Sequence, residues 1–386
     1  MNHFALRGNI VAKEKILENG LVKVQNGLIK VLFSEKESQD CQTPTLSFTG
    51  CFIFPGLIDL HIHGLLGFDV TEHGVRGAQR LSDHLPTFGV TGFLPTTLTT
   101  SWERLLALLN EFKTFLPPSH GAQIFGLHLE GPYLSLERRG AHDPNYLRTP
   151  RKEEIASLLN CGEGTIKRIT IAPELEGAME TIEYCTNQGI LVSLGHSTAS
   201  YWTTQEAFQR GAKLITHLFN GMDPLYHRKP NLLAFALEKE EIYTEIIADT
   251  IHVSPEILQL ALRCKTHHKL LPVSNAIKVA EPPDGVYPYQ PEDVMLIQGT
   301  AILAKSQSLA GSTRPLNQAL YHLHRYTGLS FSHLATMGSL LPATLLGYDH
   351  LLGSIEKGKQ ADLVVFDAML TSQATFIKGE KVYERV

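Results

Sequence analysis

Eight short, strand-like apolar runs alternate with helical patterns along the middle of this chain. The runs are FIFPGLIDLHIHG, VTGFLPTTL, QIFGLHLEG, RITIAPE, ILVSLGHS, AKLITHLFN, EIIADTIH and LLPVSNA, and helical segments such as LSDHLPTF, LEGAMETIEYC and PEILQLALRC separate them. Strands linked through helices lie parallel, because each helix carries the chain back to the end of the sheet it left. Eight such units are the number that closes a barrel. The fold class expected is therefore α/β, a (β/α)8 TIM-like barrel, with a doubly wound open sheet as the alternative. A chain of 386 residues leaves room for more than one barrel, since the barrel itself needs roughly 250.

The two ends account for the rest. Near the start, LVKVQNGLIKVLF sets Asn26-Gly27 between two apolar segments, and near the end TFIKGEKVYE turns at Lys378-Gly379; both read as tight hairpins. Neither end has enough apolar residues for a core of its own. The termini are therefore expected to pair into one small β-sandwich, from residues 1–54 and 346–386, beside a barrel over 55–345. After the eighth run, MLIQGTAILAK reads as another hairpin, and NQALYHLHRYTGL and HLATMGSLLPATLL read as helices. There is no repeat of solenoid or propeller period and no low-complexity segment.

Charge and composition narrow the function. A formal net charge of -5 with no basic stripe argues against a nucleic-acid partner or an anionic membrane surface. No apolar run approaches the roughly 18 residues of a membrane span. The start, MNHFALRGNIVAKEK, lacks the apolar stretch of a secretion signal, so the cytoplasm is the expected location. Five cysteines, Cys41, Cys51, Cys161, Cys185 and Cys264, include no CxxC pair. They fit neither a disulfide framework nor a thiolate zinc site, and read as buried small hydrophobes.

Most of the runs end in a metal-type ligand or a carboxylate. The first ends in His61-Ile62-His63, where period-two alternation aims both imidazoles the same way; the third ends in Glu130, the fifth in His196, the sixth in His217, and the seventh in Asp249 and His252. A lone histidine at a strand end is usually a structural, hydrogen-bonded residue. Several converging on the C-terminal rim, where TIM barrels keep their active sites, point instead to a divalent metal. Nitrogen and oxygen donors suit zinc first, with iron or manganese as alternatives. Weaker signals lie nearby: His227, Arg228 and Lys229 in the loop GMDPLYHRKP, His142 in RRGAHDP, and the backbone amides of LAGST at 309–313.

Taken together, PGLIDLHIHG, HLEGPYLS followed by GAHDP, IAPE, LGHS, THLFNGM, HRKP, ADTIHV, LAGS, LPATLLG and GSIEKGKQADLVVFD make the chain resemble the N-acetylglucosamine-6-phosphate deacetylases of the amidohydrolase superfamily. The resemblance runs over nearly the whole length. It implies that Glu130, His196 and His217 bind the catalytic metal, and that His61 and His63 can hold a second ion. It implies substrate contacts at Ala141, His142, Asn220, Gly221, Arg228, Asp249, His252, Leu309, Ala310 and Gly311, a phosphorylated amino sugar as substrate, and a homodimer in which the phosphate-binding arginine crosses from the second subunit.

The chain departs from that pattern near the expected site, most consequentially at one position. Where the family carries an aspartate that takes a proton from the attacking water and passes it to the leaving amine, this chain has Asn275, and an amide cannot accept that proton. Thr250 stands where the family has glycine, and Lys305-Ser306-Gln307 replaces an Asp-Gly-Thr stretch. An engineered substitution, a diverged enzyme using another base and a catalytically silent amino-sugar-phosphate binding protein all fit; an amidohydrolase acting on a cyclic amide is the rival within the fold.

Overall fold

The computed structural model describes residues 3–36, 43–115 and 120–386. All eight apolar runs become parallel strands, paired in chain order: Leu57–Ile62, Val90–Thr97, Leu127–Glu130, Ile166–Ile171, Leu191–Leu194, Leu214–Ile215, Tyr243–Ile246 and Leu270–Pro272. They are buried almost throughout, as strands covered on both faces must be. The ring closes just past the eighth strand, where the Asn275 N–H donates to His61 O and the His63 N–H to Ala276 O, both at 2.9 Å. The expected barrel is thus the observed one, and its closure brings Asn275 beside the first-strand histidines.

Between strands several of the helices start on side-chain caps. Asp69 accepts from the Glu72 N–H ahead of helix Val70–His84, and Ser101 and Asn231 do the same for helices Trp102–Thr114 and Leu232–Glu238. The segment LSDHLPTF, expected as one helix, is instead the last turn of helix Val70–His84 continued as a 3-10 turn over Leu85–Phe88. Pro86 has no N–H to give the α-helix, and Gly89, at φ 78°, ends the turn.

Both termini join one seven-stranded sheet in which strand Thr45–Pro55 lies between His3–Val11, parallel to it, and Leu363–Phe366, antiparallel. Two strands separate the strands of Phe4 and Phe376, about 14 Å across a flat sheet, yet their rings stack at 5.5 Å. The sheet therefore folds over on itself around Leu6, Ile10, Val22, Ile53 and Leu363. Both foreseen hairpins are present. Asn26-Gly27 (φ 52° and 73°) and Lys378-Gly379 (φ 51° and 75°) each place two residues in the left-handed region, as type I′ turns require. The two tips touch: a Cβ on Gly27 would sit 2.7 Å from Lys378 O.

A small antiparallel sheet of strands Gly285–Tyr287, Val294–Ile297, Thr300–Leu303 and Leu309–Gly311 packs on Ala141 and Ile277 at the barrel mouth. It contains the expected MLIQGTAILAK hairpin. It also takes up part of the LAGST segment, since Leu309–Gly311 pairs as a strand and the Ser312 N–H is spent on Asn275 O. The cysteine expectation holds only for Cys185; Cys161 and Cys264, each one residue from the end of its helix, and Cys51, within strand Thr45–Pro55, are partly exposed, and Cys41 lies outside the described residues. Among the described residues no helix is long and apolar enough to cross a membrane.

Candidate metal centre and active site

Four of the barrel's strand ends deliver a carboxylate and four imidazoles to one spot. The His196 and His217 Nε2 atoms lie 3.3 and 3.1 Å from Glu130 Oε1 and 3.0 Å from each other. Each ring's other nitrogen faces a backbone carbonyl, His196 Nδ1 that of Arg138 at 2.8 Å and His217 Nδ1 that of Asn220 at 3.1 Å. A carbonyl only accepts, so both Nδ1 atoms carry the proton and both Nε2 atoms present lone pairs. Two lone pairs and a carboxylate oxygen converging in a buried site repel one another unless a cation lies between them. The donor set fits a divalent metal, and the backbone carbonyls serve as the outer partners that orient metal-binding histidines.

His61 and His63 lie against the other side of Glu130. Their Nε2 atoms are 3.2 Å apart, and are 3.3 Å from Glu130 Oε1 and Oε2 respectively. His61 Nδ1 faces Glu245 Oε2 at 3.3 Å. Glu245 is in turn paired with Arg168 in the fully buried barrel interior, through Nη1 to Oε1 and through Nη2 to Oε2 at 2.8 Å. Burial alone would lower the His61 pKa, but the Glu130 and Glu245 carboxylates outweigh it and raise it to about 9. A proton on His61 thus stands where a second cation would. Glu130 shows the converse: burial pushes it up, yet the neighbouring imidazoles and their hydrogen bonds hold it well below the usual carboxylate range.

His142 lies 3.1 Å from Glu130 Oε2 through Nε2, near enough to count as a further ligand together with Glu130 and His196. Its hydrogen bonds argue otherwise. The Thr99 N–H donates to His142 Nδ1 at 3.1 Å, which leaves the neutral ring's proton on Nε2, a donor rather than a lone pair. Burial pushes its pKa down to about 4, so the ring is neutral near pH 7.

Above these groups opens a pocket of about 210 Å³. It brings together nearly every residue singled out from the sequence: His63, Glu130, Ala141, His142, His196, His217, Asn220, Gly221, His252, Asn275, Leu309, Ala310 and Gly311. Asp249 stands one step back, where it accepts from the N–H groups of Ile251 and His252 and holds His252 Nδ1 at 2.7 Å from Oδ2. Asn275 keeps a buried Oδ1 that no protein group meets. Arg228 does not join this pocket; its loop, from Pro224 to Pro230, is exposed.

The backbone here is strained. His196 (φ 47°), His217 (φ 28°) and Asn275 (φ 46°) all occupy the left-handed region, a concentration typical of functional sites. Gly221 shows what the local path requires, because a Cβ there would lie 2.9 Å from His196 Nδ1. The sequence reading missed the Arg168–Glu245 pair and Thr99. Arg168 and Glu245 had left a signal, as charged residues inside otherwise apolar strands; Thr99 acts through its main chain and had left none.

The amidohydrolase family profile matches residues 52–384. An N-acetylglucosamine-6-phosphate deacetylase from Vibrio furnissii is 34% identical over 333 residues, 86% of this chain and 83% of that protein. An N-acetylgalactosamine-6-phosphate deacetylase from Escherichia coli O157:H7 is 32% identical over 98% of this chain and 99% of its own length. Among solved structures, a point mutant of N-acetyl-D-glucosamine-6-phosphate deacetylase from Mycobacterium smegmatis, in complex with N-acetyl-D-glucosamine-6-phosphate, superposes with a TM-score of 0.93 at 29% identity, covering 99% of this chain and 100% of that one.

Proposed function

Since the chain belongs to the amidohydrolase family, we propose that it hydrolyses the N-acetyl group of N-acetylglucosamine 6-phosphate, giving glucosamine 6-phosphate and acetate, at a rate held down by Asn275. The observation that carries this reading is the pairing of a proton-free donor set (Glu130, His196 Nε2 and His217 Nε2) with a proton-bearing His142 Nε2 at the floor of one pocket. Full-length likeness to sugar-phosphate deacetylases weighs against a cyclic-amide substrate and against a purely silent binding protein.

Glu130, His196 and His217 would hold the catalytic ion, with His61 and His63 for a second; zinc suits these donors, as do iron and manganese. When bound, a divalent ion supplies Lewis acidity and makes hydroxide available near neutral pH. The chain's own residues do the rest. His142 directs its Nε2–H as a hydrogen bond to the acetyl oxygen as negative charge develops there, keeping its proton, which is where a fixed donor lowers the barrier most. His252, its Nδ1 proton engaged by Asp249, presents Nε2 as an acceptor for a sugar hydroxyl. Asn275 can orient the water by hydrogen bonding but cannot move its proton.

Arg228 is assigned to the phosphate of a substrate bound in a second copy of the chain, because its planar donors suit a dianion and its loop stands away from its own pocket. This assignment makes the working form a homodimer. A charged sugar phosphate stays in the compartment that makes it, because it does not cross a bilayer unaided; the compartment assigned to the reaction is the cytoplasm.

The test is acetate release from N-acetylglucosamine 6-phosphate and from N-acetylgalactosamine 6-phosphate, with and without a chelator. Slow release that the chelator abolishes, with N-acetylglucosamine itself left untouched, is the expected result. Tight binding of the phosphorylated sugar with no release at all would favour the silent binding protein.

A further inference from the structure

The four histidines around Glu130 differ in what stands behind them. His196 and His217 turn Nδ1 to main-chain carbonyls, and His61 turns its own to Glu245. His63 has no such partner, since its Nδ1 is buried and no protein group meets it. A neutral ring whose proton is fixed on one nitrogen presents a fixed lone pair on the other. Of the two histidines left for a second ion, only His61 is therefore held ready to bind one.

What holds it is a closed network in the barrel interior. Arg168, on strand Ile166–Ile171, commits all five of its N–H donors. Nε gives to Ser193 Oγ at 3.1 Å, Nη1 to Leu60 O at 3.1 Å and to Glu245 Oε1, and Nη2 to Thr216 Oγ1 at 3.0 Å and to Glu245 Oε2 at 2.8 Å. The Thr216 hydroxyl gives its proton to Glu245 Oε2 at 2.8 Å. It thus shows His61 Nδ1, 3.2 Å away, a lone pair, and Glu245 Oε2 shows another at 3.3 Å. Facing two acceptors, Nδ1 carries a proton, while Nε2 lies 3.3 Å from Glu130 Oε1. Stability alone does not account for this pair. Arg168 and Glu245 are completely buried, and a buried ion pair is often no more stabilising than apolar side chains of similar volume.

We propose that Glu245, held by Arg168 and Thr216, is the positioning residue of a second metal site: it keeps the His61 proton on Nδ1, offers Nε2 to the ion, and so sets how tightly that ion binds. This rests on the reading that His61 and His63 hold a second ion. With His61 fixed and His63 not, the second ion binds more weakly than the one held by Glu130, His196 and His217.

Zinc is the probe, titrated by calorimetry into the full chain after a chelator has stripped it. Arg168→Met with Glu245→Met removes the ion pair and the acceptor behind His61 at similar volume. Arg168→Met with Glu245→Gln removes the same pair but keeps an acceptor oxygen. Losing the outer partner of a metal-bound histidine typically costs about 10- to 100-fold in affinity. The parent is expected to take up two ions in separate steps. The methionine pair should weaken the second step by about 10- to 100-fold and leave the first unchanged, and the glutamine variant should recover most of the loss. A purely structural pair would instead weaken both steps alike, with no recovery. Nitrogen-15 NMR of the histidine rings in the zinc-loaded parent, with His61 assigned from His61→Gln, decides the matter even where a double variant fails to fold. A proton on His61 Nδ1 supports the proposal, and a proton on Nε2 overturns it. Uptake of one ion only by the parent, an unchanged second step in the methionine pair, or no recovery with glutamine also overturns it. Two-step zinc binding as expected, with no acetate released from N-acetylglucosamine 6-phosphate, would show that the deacetylase reading alone has failed.

Discussion

The Nε2 atoms of His196 and His217 face each other at 3.0 Å, each with a lone pair, because each ring's proton is committed to a main-chain carbonyl on its far side. Glu130 Oε1 closes the triangle at 3.3 and 3.1 Å. A cation is the group that makes this arrangement favourable. Replacing either His196 or His217 with alanine is expected to strip most of the metal from the purified protein, as read by elemental analysis. Full metal content in both variants would show that the ion sits elsewhere.

Arg228, exposed and away from its own pocket, is expected to act on the phosphate bound by a partner copy. Arg228→Ala should weaken binding of N-acetylglucosamine 6-phosphate by about 10- to 100-fold, the worth of one charge-assisted contact of 1.5 to 3 kcal/mol, and leave the weak binding of N-acetylglucosamine unchanged. Calorimetry with both sugars measures the difference, and equal losses would remove Arg228 from the phosphate site.

The barrel and its rim were legible because strand and ligand coincide: each strand's end is also where a TIM barrel places chemistry, so LHIH, HLE, LGHS and ITH carried fold and site together. The two hairpins were legible because Asn26-Gly27 and Lys378-Gly379 adopt the positive φ values that such pairs favour. What lay beyond reach depended on contacts distant in sequence. Arg168 and Glu245 are 77 residues apart, and nothing local tells that they meet beneath His61. A cavity lined by Asp69, Thr99 and Tyr289 is assembled from segments far apart in the chain. The burial of the cysteines was overestimated, since composition does not say which face of its strand or helix a residue occupies.

Thr250 holds a φ of 67°, a left-handed conformation that a β-branched side chain resists. The glycine that the resembled family carries there would adopt it freely. Thr250→Gly is therefore expected to stabilise the chain by about 1 kcal/mol, readable as a higher denaturant midpoint with unchanged slope. A lower midpoint would mean that Thr250 makes contacts worth more than its strain.

Asp362 joins the terminal sheet to the barrel, accepting from Lys378 N–H at 2.7 Å, Gln123 Nε2 at 2.5 Å and Gln360 Nε2 at 2.9 Å. Burial raises its carboxyl from 3.8 to about 6, against the pull of those hydrogen bonds. The folded chain thus holds this proton more tightly than the unfolded one. Stability falls as pH rises from about 4 to about 6 and is level above, by at most about 3 kcal/mol. Asp362→Asn, in metal-free protein, should flatten that part of the denaturant midpoint against pH; an unaltered slope would show that Asp362 titrates normally.

Asn275 decides how fast the centre can turn over. Its Oδ1 is buried and unmatched in the same pocket as His142 and Glu130, a place from which a carboxylate could take the water's proton and hand it to the leaving amine. General acid–base catalysis by one positioned group is worth about 10²- to 10⁴-fold. The most direct measurement is therefore deacetylation of N-acetylglucosamine 6-phosphate by the chain as it stands and by Asn275→Asp, with metal content and substrate affinity determined in parallel. The account predicts slow turnover in the first and a gain of that order in the second, with metal and affinity little changed. Brisk turnover by the unmodified chain, or no gain on restoring the carboxylate while metal and substrate both bind, would contradict it.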